Sequence, residues 1–114
     1  MRWTLVFLPL IACKSVPKET RLADLSDDDA LALCEEFHRR EHTLSCGGDP
    51  IVIPETDDQV CVDRILDIPV TCQATAADYR ACMRARDADD ACLPSTEILE
   101  PCAWEVDSSC FQAF

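Results

Sequence analysis

His38-Arg39-Arg40-Glu41-His42 sets two imidazoles four residues apart, with a carboxylate beside the second. On a helix, positions four apart share a face. Both rings could then approach one zinc ion while Glu41 took a proton from bound water, the chemistry of metal-assisted hydrolysis. Cys34 and Cys46 extend the pattern, so that Cys34, His38, His42 and Cys46 recur at intervals of four. Geometry opposes all four on one ion, because twelve helical residues span about 18 Å while zinc–ligand bonds are near 2 Å. A hydrolase would also need a third ligand from another element and a substrate cleft. The motif instead falls at the expected C-terminal end of an acidic helix, where Arg39, Arg40 and His42 complement the dipole. The expectation is therefore no cofactor and no enzyme. His38 and His42 remain candidate metal ligands, and a small zinc-binding hydrolase using His38, Glu41 and His42 is the enzymatic alternative.

Other chemistries lack their residues. The only glycines are Gly47 and Gly48, which leaves no phosphate-binding loop and no dinucleotide fingerprint. No two cysteines lie close enough for a C-x-x-C redox, zinc-ribbon or haem motif. Asp87-Ala88-Asp89-Asp90 begins like a calcium loop, but Cys92 stands where the turn needs glycine and Ile98 where a bidentate glutamate belongs.

The nine cysteines carry the stronger signal. Cys34, Cys46, Cys61, Cys72, Cys82, Cys92, Cys102 and Cys110 form an even set able to make four disulfides, leaving Cys13 over. Such bonds persist only in an oxidising compartment. Cys13 closes a short leader: Met1-Arg2 brings one positive charge, Trp3 to Ile11 is a nearly unbroken apolar run, and small Ala12 precedes the cysteine. The run is too short for a transmembrane helix, which needs about 20 residues. Leu10-Ile11-Ala12-Cys13 resembles the lipidation box of bacterial lipoproteins, in which the cysteine is alkylated by diacylglycerol and becomes the first residue after cleavage. The resemblance implies a signal peptide over 1–12, lipid on Cys13 and attachment to an envelope membrane; the expected role is binding or structural, with an unknown protein or envelope partner. Because Lys14 and not aspartate follows, it favours the outer membrane. The alternative is a plain secretory leader and a free periplasmic or secreted inhibitor or binding protein.

Charge sets the class of partner. The chain has a net charge of −12, with all but one of the 22 acidic residues but only six of the 10 basic ones at or beyond Asp24. Such a domain repels nucleic acid, whose phosphates need Lys and Arg. Lys14, Lys18 and Arg21 precede it and suit anionic headgroups. Residues 13–23 lack apolar periodicity and read as a lipid-bearing flexible tether with a reach of roughly 15–20 Å.

Residues 24–114 are expected to fold as one mainly α, disulfide-stapled domain of about three helices with an irregular C-terminal region. Ser26, Thr56 and Thr75 each stand three residues before an acidic or amide residue, the pattern of a capping box. Behind them, Ala30, Leu33, Cys34 and Phe37 follow a helical rhythm, as do Ala76, Tyr79, Cys82 and Met83, with Arg80 and Arg84 outside. The second helix, about Asp57 to Ile68, buries Cys61 with Ile65. A fourth turn is expected near Ser95–Leu99, ended by Pro101, and Ile51-Val52-Ile53 could be extended. The candidate core is Leu31, Leu33, Phe37, Ile65, Leu66, Tyr79, Met83, Leu93, Ile98, Leu99, Trp104 and Phe111.

Helix cysteines 34, 61 and 82 are each followed by another outside the helix, at 46, 72 and 92, which suggests helices held at their flanks. The unit Cys72–Cys82 is similar to one in uncharacterised small cysteine-rich lipoproteins of some Gram-negative bacteria and implies no activity. Parity requires at least one of Cys92, Cys102 and Cys110 to bridge back to the helical region.

Overall fold

The computed structural model describes residues 15–89, 92–93 and 97–110. The expected signal peptide, the lipid site at Cys13 and core residue Phe111 lie outside the described residues. The fold is mainly helical, with a small hairpin and four disulfides.

Helix α1 (Asp27–Glu35) starts where Ser26 accepts the Asp29 N–H, satisfying one of the four donors a helix start leaves open. It buries Ala30, Leu33 and Cys34. Helix α2 (Asp58–Leu66) is capped one residue later than expected: Asp57 accepts the N–H groups of Gln59 and Val60, while Thr56 accepts the Arg39 N–H at 2.9 Å. Val62 and Ile65 are buried, and Cys61 only partly. Helix α3 (Ala76–Ala88) opens with a complete capping box between Thr75 and Asp78 and buries Ala76, Tyr79 and Cys82.

Between α1 and α2 the chain forms an antiparallel hairpin, β1 (His42–Leu44) against β2 (Ile51–Ile53), with His42 opposite Ile53. Its turn uses Gly47 at φ +89°, a conformation other residues rarely adopt. The C-terminal 3-10 helix Glu100–Val106 packs on α3. Pro101 lies in its first turn and so begins an element where it was expected to end one, since its fixed φ suits a helix start and its missing N–H costs nothing there.

The largest departure from expectation is the segment read as a tether. From Ser15 to Leu25 the chain is a docked strap, with Val16 and Leu22 each about 2% exposed or less. Its carbonyls meet the start of α3: Thr20 O accepts the Ala76 N–H at 2.8 Å and Lys18 O the Ala77 N–H at 3.0 Å. Leu22 N–H donates to Ala74 O at 2.9 Å. The strap thus satisfies donors that the capping box leaves open. Arg80 fastens it further, donating to Val16 O at 2.8 Å while gripping both Glu36 carboxylate oxygens at 2.8 Å. Periodicity could not reveal this, because Val16, Leu22 and Leu25 are buried one at a time along an irregular path.

The disulfides are Cys34–Cys61, Cys46–Cys92, Cys72–Cys110 and Cys82–Cys102. All three C-terminal cysteines reach back, as parity requires of at least one. The helix cysteines do not take their following neighbours: Cys34 joins α1 directly to α2, and Cys82 joins α3 to the 3-10 helix. Of the expected core, Leu33, Ile65 and Tyr79 are buried, and Phe37, Met83 and Trp104 pack against the core partly exposed. Leu31, Leu66, Leu93 and Ile98 are exposed instead. Small residues and half-cystines fill much of the interior: Ala30, Ala74, Ala76, Cys72, Cys82 and Cys102 are all buried.

Candidate functional site

The pairing of α1 with α2, and of α3 with the 3-10 helix, leaves an open groove of about 620 Å³ between them. Tyr79, Met83 and Arg86 reach it from one face of α3, spaced by helical turns. Ile65 enters from α2, Phe37 from the turn after α1 and Trp104 from the 3-10 helix. Phe37 and Tyr79 meet edge to face, ring centroids 5.9 Å apart at 71°, an arrangement aromatic quadrupoles favour. The Tyr79 hydroxyl donates to Cys61 Sγ at 3.2 Å, so the Cys34–Cys61 disulfide backs one wall. Burial raises the Tyr79 pKa above its ordinary value and keeps the phenol neutral. Around this apolar floor stand Asp57, Asp58, Arg64, Arg86 and Glu105, with Arg86 ion-paired to Glu105. The groove's size and composition suit an apolar or amphipathic ligand group.

The histidines do not form the expected site. Helix α1 ends at Glu35, so the H-x-x-E-H segment is not helical and its rings share no helix face. The cause is pairing with the chain ahead of α2. Thr56 N–H donates to Arg39 O at 3.0 Å and Arg39 N–H to Thr56 Oγ1, drawing residues 38–44 into the ladder that becomes the hairpin. His38 lies between two carboxylates, its Nδ1 3.0 Å from Asp58 and its Nε2 against Glu55. His42 begins β1 and directs Nδ1 at Arg40 O, 3.0 Å away. Glu41 is exposed between them. Cys34 and Cys46 are in disulfides with Cys61 and Cys92, not beside the imidazoles. Arg39 pairs with Asp87 in the last turn of α3 and not at the end of α1. Among the described residues, Cys82, Cys102 and Glu105 bring ligand-type atoms within 4.8 Å of one another, but the two sulfurs are bonded to each other and offer no thiolate.

His38 does have a titration consequence. The hydrogen bonds to Asp58 and Glu55 raise its pKa above the ordinary 6.5. A raised folded value means that the protonated clasp stabilises fully below the unfolded pKa and is lost as pH rises through the folded one. An NMR titration is expected to place the His38 midpoint above 6.5, and Asp58→Asn should bring it down. A midpoint at or below the free value would show that the clasp does not hold in solution.

Of the residues expected in the core, Tyr79 is buried there and also lines the groove, while Phe37, Met83 and Trp104 are partly exposed and form its walls. The α3 part of that wall was visible as helical spacing, whereas Trp104 arrives through Cys82–Cys102 and carries no local signal. No helix among the described residues is long and apolar enough to cross a membrane. Comparison with protein-family models, with curated proteins and with solved structures finds no match for this chain.

Proposed function

We propose that this chain is a lipid-anchored binding protein of a bacterial envelope, held to the membrane through Cys13 and presenting a disulfide-stapled domain to the aqueous side. The observation that carries the reading is cysteine parity. Eight of the nine cysteines are consumed in four intrachain disulfides, and the ninth stands at the end of Leu10-Ile11-Ala12-Cys13. Four staples in so small a domain also fit an oxidising compartment. The groove walled by Phe37, Tyr79, Met83 and Trp104 supports a binding role over a purely structural one, since Phe37, Met83 and Trp104 stay partly open to solvent beside buried Tyr79.

The test is detergent phase partitioning of the expressed protein and of Cys13→Ser. The parent is expected in the detergent phase, and the variant in the aqueous phase or as uncleaved precursor. Identical partitioning of the two would end the lipoprotein reading.

A further inference from the structure

We propose that the strap Ser15–Leu25 clamps the domain directly onto the bilayer in one orientation, with the edge formed by Lys18 and the start of α3 facing anionic lipid headgroups. This rests on the lipid-anchor reading. Its independent basis is the distance along the chain between Cys13 and Val16, the first buried residue among those described. Val16 is 2% exposed and its carbonyl accepts from Arg80 at 2.8 Å. Three fully extended residues reach at most about 10 Å. A lipid on Cys13 would therefore hold Val16, and with it the N-terminal end of α3, within about one headgroup layer of the membrane surface.

The strap cannot swing freely without losing specific bonds. Lys18 O and Thr20 O accept the Ala77 and Ala76 N–H groups, and Arg21 bridges to Thr75, so three strap residues are tied to the α3 start. Releasing them would expose Leu22 and leave helix donors open. Charge selects the same edge. Both lysines of the chain, Lys14 and Lys18, lie in or beside the strap, and Lys18 is exposed. Arg21 and Arg80 lie on the same edge, ion-paired to Asp24 and Glu36, so that with exposed Glu19 the edge is close to neutral and not acidic. The remainder of the domain is strongly acidic and is repelled by anionic lipid, whereas this edge is tolerated. None of the groove's lining residues belongs to the strap.

Because only Lys14 and Lys18 carry ε-amines, amine acetylation reads the strap alone. The full lipidated chain is placed in vesicles of phosphatidylethanolamine and phosphatidylglycerol, treated with a membrane-impermeant acetylating reagent, and mapped by mass spectrometry. A second version carries a Gly-Ser spacer of about twelve residues between Lys14 and Ser15, a coil reaching roughly 20 Å. Lys14 stays beside the lipid in both and calibrates protection. Lys18 is expected to react at least about fivefold more slowly in the parent than in the spacer version, because the spacer carries it beyond a Debye length. Equal Lys18 rates in protein that floats with the vesicles would overturn the clamp while leaving the anchor intact. Protein that does not float with the vesicles would overturn the anchor, and the clamp with it.

Discussion

Complete reduction of the four disulfides is expected to unfold this domain at 25 °C without denaturant. The bridges close segments of 20 to 46 residues, and the chain-entropy model assigns each such closure about 3–4 kcal/mol. Even with incomplete additivity, the sum is comparable to the whole stability of about 5–15 kcal/mol typical of a domain. The interior has little to replace it. Among the described residues, half of the buried ones are Ala30, Ala74, Ala76 and the half-cystines Cys34, Cys72, Cys82 and Cys102, which leaves seven larger side chains, such as Leu22, Leu33 and Ile65, to hold the fold. Circular dichroism before and after a phosphine reductant measures this. Loss of both the helical signal and the near-UV signal of Tyr79 and Trp104 is expected. A native spectrum persisting in the reductant would mean that packing alone sustains the fold.

Leu22→Ala should lower stability by about 3 kcal/mol, as for truncation of other fully buried leucines. For a domain of this size that corresponds to a fall in Tm of about 15 °C. Leu22 is 1% exposed and its backbone is locked to Ala74. Lys18→Ala in the same strap removes only an exposed side chain and should change stability by less than about 0.5 kcal/mol. Thermal unfolding of the two variants separates a docked strap from a tether. If Leu22→Ala unfolds with the parent, the strap contributes nothing to the folded state.

Helix starts were legible because their chemistry is local. Ser26 and Thr75 cap where their spacing to Asp29 and Asp78 places them. The shift from Thr56 to Asp57 arose because Thr56 had a distant partner, the Arg39 backbone, that no local rule could supply. The same contact explains why His38 and His42 misled. A helical reading of residues 38–42 assumes that their backbone bonds stay within the segment, and here they go to the chain ahead of α2. Leu31 and Leu66 fell outside because two paired helices of nine residues each offer only narrow faces. The groove was half legible. Tyr79 and Met83 announce one face of α3, but Phe37, Ile65 and Trp104 meet it only after the disulfides set the elements against each other.

The order of the disulfides along the chain has a biosynthetic consequence. No cysteine bonds to its nearest cysteine in sequence: Cys34 passes over Cys46 for Cys61, Cys46 passes over three others for Cys92, and Cys82–Cys102 nests within Cys72–Cys110. If the chain is exported as proposed, emerging N-terminus first, it offers Cys34 and Cys46 to an oxidant before Cys61 has appeared. Oxidation in order of arrival therefore yields wrong pairs, drawn from the 105 that eight cysteines allow. Each wrong pair must be undone by thiolate attack through a mixed disulfide. On the proposed export route, maturation would draw on a shuffling catalyst as well as an oxidant, with yield set by proofreading of bonds already made.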